Sequence, residues 1–225
     1  MLSPFMIAVA GGSGAGKTTF VNRLWQRLET LRPLVLRLDD YYRDLTHLPL
    51  AERARCNFDD PEAIERDLLH EHVSLLRRGL SVERPTYDFT THTRSSLTET
   101  LASRPIIIVD GIFALCYPEL NKLFDLKIFI DVDDDIRVVR RIGRDMAERG
   151  RSFASCCEQY EGTVKAMYER HIAPTKKTAD FVIPWHFFNE RALSYTAGII
   201  LSEIAAKSAI NVNRSLRETE YPLSR

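Results

Sequence analysis

The sequence predicts an α/β fold, a parallel five-stranded sheet flanked by helices. Apolar segments of strand length alternate with segments of helical periodicity along the chain, which is the pattern of a parallel sheet covered on both faces. The first strand and helix are joined by a glycine-rich turn. The 225 residues suffice for one domain with appendages, or at most two domains.

The first strand–turn–helix unit carries the clearest chemical signal. A buried strand is predicted over 5–10, and apolar residues recur at helical spacing over 20–31. Between them, the letters GGSGAGKT fit the phosphate-binding loop pattern. In such a loop backbone N–H groups bind phosphate oxygens, the lysine reaches the outer phosphates and the hydroxyl binds magnesium. An ordinary glycine-rich turn is the alternative, but the flanking elements favour a nucleoside triphosphate site. Its residues would be Gly11, Gly12, Ser13, Gly14, Ala15, Gly16, Lys17, Thr18 and Thr19.

The later elements continue the alternation. A second strand is predicted over 33–38, and a helix is predicted to begin with Asp60 as its cap and Pro61 in its first turn, and to end at Gly79. The remaining predicted strands are 105–111, 126–132 and 180–184. The remaining predicted helices are a basic one capped by Asp133 or Asp134, one over 156–172 that stops before Pro174, and an amphipathic one over 191–207. The segment from Ser208 onward is polar, and we expect it to be loose.

Two aspartates follow predicted strands at the edge of the sheet where open α/β sheets bind ligands. Asp110 ends the strand IIIVD, as expected of a Walker B-type contact to a metal or its water. Asp39 follows the second strand, which in most such sheets neighbours the first, and could accept a proton from a substrate hydroxyl. A helix cap or a loop carboxylate is the alternative for either residue. The candidate metal ligands are therefore Thr18, Asp39 and Asp110.

Arginines are concentrated over 137–151, on one predicted helix and the turn after it. Such a run usually marks a solvated helical face. Arg141 and Arg144 lie at i and i+3 on one helical ridge, whereas Arg149 and Arg151 flank a glycine. Beside a phosphate-binding loop, mobile arginines neutralise transition-state charge and exclude water as a lid. We therefore favour the lid over the solvated face.

A polar, threonine-rich insertion precedes the third strand, and its ends over 82–87 and 97–101 are predicted to pair as a small sheet. It holds Tyr87, Phe89 and His92 without an apolar rhythm. Residues of this kind can be exposed turn residues. Alternatively, they can form a binding site in which the aromatic faces stack on a flat base and the imidazole hydrogen-bonds the edge of that base. The residues alone leave both interpretations open.

Composition excludes several classes of function. Lys+Arg and Asp+Glu both number 31, for a formal net charge of +0, so no global field attracts nucleic acid. No apolar run has the length of a membrane span, and the apolar N-terminus lacks the basic segment of a signal peptide. The four cysteines show no metal-ligand spacing. We expect reduced thiols in a cytoplasmic protein.

Several segments occur in the order found in a known family: GGSGAGKTT, LDDYYRD, NFDDPEA, PTYDFTTHTR, VDGI, RRIGRDMAERGR and APTKKTADFVIP. Together they resemble the uridine–cytidine kinase family, within the wider uridine kinase and phosphoribulokinase group, from about Phe5 to about Leu201. The resemblance implies transfer of the γ-phosphate of ATP or GTP, with magnesium, to the 5′-hydroxyl of uridine or cytidine in pyrimidine salvage. It also implies a P-loop kinase fold and a homotetramer.

On this basis we expect a single P-loop kinase domain over 1–207 and a polar C-terminal tail over 208–225. Within the domain, a β-hairpin over 80–103 would cover the nucleoside, and an arginine-rich lid region would span 144–160.

The resemblance further implies residue roles. Asp39 matches the catalytic base, and Lys17 and Arg144 complete the catalytic set. The implied acceptor contacts are Asp59 and Arg141 on the ribose hydroxyls, Tyr42 lining the nucleoside site, Tyr87 and His92 at the pyrimidine edge, Phe89 against the base, and Arg144 near the reacting phosphate. The implied lid contacts are Arg149 and Arg151 on the triphosphate, with Gln159 as a polar contact beyond them.

The chain departs from that family at three places. Asp110 stands where glutamate is usual, and the shorter carboxylate can make its metal contact through water. Asp40 stands where a small residue is usual, and its charge should raise the pKa of Asp39 if it is close and unpaired. The letters PWHFF over 184–188 replace the usual Pro-Arg-Gly near the donor base.

Two other functions fit parts of the sequence. A related kinase could take another acceptor, as phosphoribulokinase, pantothenate kinase or nicotinamide riboside kinase does, although Tyr87, Phe89 and His92 suit a planar base. A non-catalytic nucleotide-binding protein is the other alternative. A degenerate copy would be expected to lose at least one of Lys17, Thr18, Asp39 or the lid arginines, and all are present.

Overall fold

A computed structural model describes residues 3–220, with side chains described as far as residue 209. Its strands are Phe5–Gly11 (β1), Leu34–Arg37 (β2), Val82–Asp88 (β3), Thr93–Leu101 (β4), Ile106–Asp110 (β5), Leu126–Asp131 (β6) and Phe181–Pro184 (β7). Five of them form a parallel sheet in the order β2–β5–β1–β6–β7, and β3 pairs with β4 as an antiparallel hairpin. The predicted parallel five-stranded sheet is confirmed, and the predicted small sheet in the insertion also forms, with longer strands.

Helices cover both faces of the sheet. They are Lys17–Arg27 (α1), Leu50–Arg53 (α2), Arg66–Arg77 (α3), Pro118–Asn121 (α4), Asp134–Arg149 (α5), Phe153–Gln159 (α6), Lys165–Met167 (α7) and Glu190–Glu220 (α8). Alternate residues of β1 belong to two separate cores, one shared with α1 and α8 and the other with α3 and α4. This two-sided burial explains why β1 is an unbroken apolar run.

The strand order differs from the expectation that the second strand neighbours the first. β5 lies between β2 and β1, so Asp110 is in register with Arg37 on one side and with Val9 on the other. β5 is fully buried, which suits an interior position, whereas the four-residue β2 is partly exposed and forms an edge. Asp110 therefore lies between the loop after β1 and the turn after β2.

The predicted helix from Asp60 to Gly79 is two elements. The Asp60 carboxylate accepts a hydrogen bond of 2.9 Å from the Glu62 backbone N–H, but it caps only a short 3₁₀ turn over Pro61–Ala63. Ile64 is then extended, forms an isolated bridge with Tyr42 and is buried. α3 begins after that, because tertiary pairing of Ile64 overrides the local cap signal.

Two further boundaries differ from prediction. The helix predicted over 156–172 begins at Phe153, contains π-helical turns over 160–164 and 168–172, and continues past Pro174 as a 3₁₀ turn to Thr178. Proline is tolerated there because it occupies the first turn of a new helical segment. α8 continues to Glu220, where a loose segment was predicted from Ser208, and residues 221–225 lie outside the described part. Within residues 3–220, no helix is both long and apolar enough to cross a bilayer.

Candidate active site

The loop after β1 curls because its glycines adopt left-handed backbone conformations. Gly14 has φ +80° and Gly16 has φ +87°. A Cβ atom on Gly14 would overlap the carbonyl oxygen of Arg137, and one on Gly16 would lie 2.9 Å from the Trp185 ring. Only glycine fits at both positions, so the loop is pressed closely against α5 and the segment after β7. A curled loop that leads into a helix N-terminus is a geometry that binds phosphate.

Lys17 and Asp110 lie beside this loop as a buried pair of opposite charge. Lys17 Nζ donates a hydrogen bond of 3.1 Å to the Gly12 carbonyl. Burial lowers the pKa of Lys17 to about 8, against the attraction of Asp110 and Asp39. Burial raises the pKa of Asp110 to about 6, and Lys17 opposes that shift. Removing Asp110 would take away the stronger of the two attractions on buried Lys17, and removing Lys17 would take away the main attraction on buried Asp110.

Thr18 and Asp110 supply oxygen ligands of the kind that magnesium prefers. Thr18 Oγ1 donates to Asp110 Oδ2 at 3.2 Å, and Asp110 Oδ1 is buried with no hydrogen-bond partner among the described residues. Among the side chains described, residues 3–209, no group of three or more His, Cys, Asp or Glu is arranged to hold a metal. Magnesium in phosphate sites typically takes one or two carboxylates plus phosphate oxygens and water. The residues present fit such an ion.

Asp39 lies in a short 3₁₀ turn, Leu38–Tyr41, that follows β2 and is anchored by the buried side chains at its two ends. Its neighbour Asp40 turns to the hairpin, where Asp40 Oδ2 accepts a 2.8 Å hydrogen bond from Arg84 Nη1. Burial raises the pKa of Asp40, and Arg84 partly offsets that rise. Asp40 is thus ion-paired, and the condition for an unpaired charge beside Asp39 is not met.

A buried ion pair joins α5 to the loop before α3. Arg141 Nη1 and Nη2 donate to the two carboxylate oxygens of Asp59 at 3.0 and 3.1 Å. Arg141 Nη2 also donates to Gln159 Oε1 at 3.0 Å. Three segments far apart in sequence therefore meet at one guanidinium, and the bidentate geometry fixes its plane.

Aromatic side chains line the end of the cleft nearest the hairpin. The ring centres of Tyr42 and Tyr87 lie 5.2 Å apart, and those of Tyr87 and Phe89 lie 5.1 Å apart. Phe58 stacks on His92 with centres 5.7 Å apart and planes 19° apart. Tyr87 Oη is buried without a hydrogen-bond partner among the described residues. A flat, partly polar ligand would supply that partner.

The arginines after position 141 approach the same cleft. The Arg149 guanidinium carbon lies 5.0 Å from the centre of the Phe89 ring, so the end of α5 contacts the hairpin. Burial lowers the pKa of Arg149, and the positive charge of Arg144 adds to that effect. These groups place positive charge over the opening, where an anionic ligand would stabilise it.

One cavity of about 800 Å³ unites most of the predicted residues. The predicted residues that line it are Ser13, Lys17, Thr18, Asp39, Tyr42, Asp59, Tyr87, Phe89, His92, Asp110, Arg141, Arg144, Arg149, Arg151 and Gln159. Those that do not line it are Gly11, Gly12, Gly14, Ala15, Gly16 and Thr19, which belong to the phosphate loop and its helix. Sequence reasoning missed Phe58 and Arg37, although Phe58 directly precedes Asp59 and Arg37 lies two positions before Asp39.

Comparison with known proteins gives a consistent result. Residues 6–190 match the phosphoribulokinase/uridine kinase family. A uridine kinase of Chloroflexus aggregans is 46% identical over 182 residues, covering 81% of this chain and 87% of the relative. A uridine kinase of Staphylococcus haemolyticus is 47% identical over 184 residues, covering 82% and 89%. The solved phosphoribulokinase from Rhodobacter spheroides is similar in fold alone, with a TM-score of 0.62 at 17% identity, covering 81% of this chain and 70% of that one.

Proposed function

The chain belongs to the phosphoribulokinase/uridine kinase family, and from that premise we propose that it is a pyrimidine ribonucleoside kinase. The reaction transfers the γ-phosphate of ATP to the 5′-hydroxyl of uridine or cytidine and yields the nucleoside monophosphate. The substrates are small molecules, and the reaction belongs to pyrimidine salvage. The cytoplasmic location remains a prediction from the cysteines and the lack of a targeting segment, and the homotetramer and the use of GTP remain predictions from the resemblance.

A single observation carries the proposal: one cleft joins the phosphate loop and Asp39 at one end to an aromatic pocket at the other. The pocket rings belong to Tyr42, Phe58, Tyr87 and Phe89, and a planar base can pack among them. A sugar phosphate would have no use for these rings. The buried hydroxyl of Tyr87 and the imidazole of His92 provide polar groups for the base edge.

On the donor side, the chain's own residues hold the triphosphate. Backbone N–H groups of the loop after β1 and the N-terminus of α1 bind phosphate oxygens. Lys17 lines the cleft beside them and reaches the outer phosphates. Thr18 and Asp110 would hold magnesium, which when bound supplies charge neutralisation at the bridging and terminal phosphate oxygens.

On the acceptor side, Asp59 and Arg141 bind the ribose hydroxyls, so their ion pair sets the position of the sugar. Asp39 then accepts the proton of the 5′-hydroxyl while the 5′ oxygen of the nucleoside attacks the γ-phosphorus. The bond to the leaving ADP oxygen breaks as the new P–O bond forms. Arg144 and Arg149 stabilise the charge on the transferred group from the lid side.

Replacing Asp39 by asparagine tests the proposal directly. We expect Asp39→Asn to lower kcat with uridine by about a hundred- to ten-thousand-fold while ATP binding is retained, because general base catalysis contributes that much. Steady-state ADP release with uridine, cytidine, adenosine and ribulose 5-phosphate measures both the loss and the acceptor class. Asp67→Asn is the matched control, since that side chain is fully exposed on α3. Near-normal turnover in Asp39→Asn would refute the base assignment, and turnover with ribulose 5-phosphate alone would refute the acceptor.

A further inference from the structure

Asp145 lies beside the cleft but has no role in the reaction proposed above. Its side chain is 1% exposed, less than any other acidic side chain in the described core. It follows Arg137 and Arg141 at intervals of four residues, so the three share the buried face of α5. A carboxylate at such depth is costly unless it is paired and hydrogen-bonded.

Three guanidinium groups surround this carboxylate. Arg144 donates from Nε at 2.9 Å and from Nη2 at 2.8 Å to Asp145 Oδ1. Arg149 Nη1 lies 3.5 Å from the same oxygen, and Arg141 Nε lies 3.5 Å from Oδ2. Both Arg144 donors meet one carboxylate oxygen, so the guanidinium group is held close to Asp145 by two charge-assisted hydrogen bonds.

Each of these arginines also faces a different part of the cleft. Arg141 holds Asp59 on the acceptor side, and Arg149 packs over Phe89 of the hairpin. Arg144 lines the cleft wall between them. Without Asp145, Asp59 would still pair with Arg141, but Arg144 and Arg149 would lose the carboxylate that both of them contact. Repulsion would then drive the guanidinium groups apart and toward water.

The main chain of Asp145 anchors the turn at Gly150, within the predicted lid region. Gly150 ends α5 with φ +64°, and its N–H group bonds to the Asp145 carbonyl. The Arg151 N–H lies 3.2 Å from the same carbonyl oxygen. A side-chain substitution leaves these backbone bonds available, so the role of the carboxylate can be tested separately.

We propose that Asp145 is a positioning residue, which holds Arg141, Arg144 and Arg149 as one preorganised unit facing both the ribose and the transferred phosphate. The inference rests on the proposed kinase function and deepens it. In their direct contacts, three guanidinium groups meet two buried carboxylates, Asp145 and Asp59, so the unit presents net positive charge to the transferred phosphate. Asp145 acts through the arginines and does not itself contact a reacting atom.

The test compares Asp145→Asn and Asp145→Glu with wild type by steady-state kinetics with uridine and ATP. Asparagine keeps the size and removes the charge, and glutamate keeps the charge and displaces it by one methylene. We expect kcat to fall by about a hundredfold in Asp145→Asn, the effect of misplacing groups by about 1 Å, with smaller changes in KM for either substrate. Asp145→Glu should recover part of the loss. Asp135→Asn, an exposed change in the first turn of the same helix, is the control.

A double-mutant cycle with Arg144→Gln separates positioning from support of the fold. If Asp145 acts partly through Arg144, adding Asp145→Asn to Arg144→Gln should lower kcat by a smaller factor than adding it to wild type. Independent, multiplying losses would overturn the inference, as would wild-type kcat in Asp145→Asn. Should Asp145→Asn fail to fold, wild-type kcat in Asp145→Glu would overturn it equally. If the wild-type protein phosphorylates neither uridine nor cytidine, the proposed function and this inference fail together. If the wild-type protein is active and kcat falls only in the variants, both are supported.

Discussion

The two ends of the cleft are built in different ways. The donor loop, residues 11–19, is one continuous stretch whose shape depends on glycine backbone angles. The acceptor pocket is assembled from side chains of the turn after β2, the loop before α3, the hairpin and α5. Damage to the donor loop should therefore act through local backbone geometry, whereas damage to the acceptor pocket should act through contacts between distant segments.

The strongest way to break the donor loop alone is Gly14→Ala. The new Cβ would overlap the Arg137 backbone carbonyl, which cannot move as a side chain can. We expect ATP affinity to fall by at least about tenfold, ~1.4 kcal/mol, with nucleoside affinity retained, as measured by calorimetric titration of each ligand.

Gly79→Ala is the matched control, because Gly79 has φ +84° but nothing within 4 Å of the added atom. The control should show the cost of the backbone angle alone, ~1–2 kcal/mol of stability, with normal ATP binding. Equal ATP affinity in both variants would contradict this account.

A smaller effect is expected where the hairpin joins the turn that holds Asp39. Arg84 bonds to Asp40 at 2.8 Å and also contacts Glu99 across the hairpin. Arg84→Gln leaves Asp40 without its counter-ion, so the pKa of Asp40, already raised by burial, should rise further. We expect KM for uridine to rise a few-fold and the acid limb of its kcat/KM profile to move to higher pH, with KM for ATP unchanged.

Two controls bear on the Arg84 prediction. Glu99→Gln removes the more exposed partner of Arg84 and should have little effect. Asp40→Asn in the Arg84→Gln background removes the uncompensated charge and should restore the profile. A rise in KM for ATP equal to that for uridine would show that this contact is not specific to the acceptor side.

The smallest expected effect concerns stability in mild acid. Tyr41 Oη lies 2.9 Å from His72 Nδ1, which supports the turn after β2 from α3. Burial lowers the pKa of His72. As the pH drops below about 6.5, the usual pKa of histidine, this residue therefore binds a proton more readily in the unfolded chain than in the folded protein. The free energy of unfolding should therefore fall as pH drops through about 6.5, and fall less in His72→Asn. Denaturant titrations between pH 5 and 7.5 measure this, with exposed His47→Asn as control. A steeper fall in His72→Asn would contradict the assignment.

The difference between the two ends also decides what the sequence could predict. The donor loop is local, so its glycines, Lys17 and Thr18 could be assigned from spacing and flanking elements. The sheet and its strands follow from apolar runs buried on both faces. Strand order could not be read in this way, because it depends on how the chain returns to insert β5 beside β1.

The acceptor pocket depends on pairings across long sequence separations. The Asp59–Arg141 pair joins residues 82 positions apart, and the Asp40–Arg84 pair joins residues 44 apart. Only the resemblance suggested that Asp59 and Arg141 bind the ribose, and nothing in the spacing pointed to Arg84 or to Asp145. The break at Ile64 has the same origin, since its bridge to Tyr42 is a tertiary contact that outweighs a local cap.

Because Trp185 contacts the donor loop, its intrinsic fluorescence can report nucleotide binding there. The chain has two tryptophans. The Trp185 indole is 4% exposed and lies against Gly16 and the Phe20 ring, whereas Trp25 is 36% exposed at the far end of α1. Nucleotide binding at the loop should change the fluorescence emission of Trp185, whereas soluble quenchers should mainly reduce the emission of Trp25. Stopped-flow fluorescence of the unlabelled protein can then time the arrival of the donor before any phosphate is transferred.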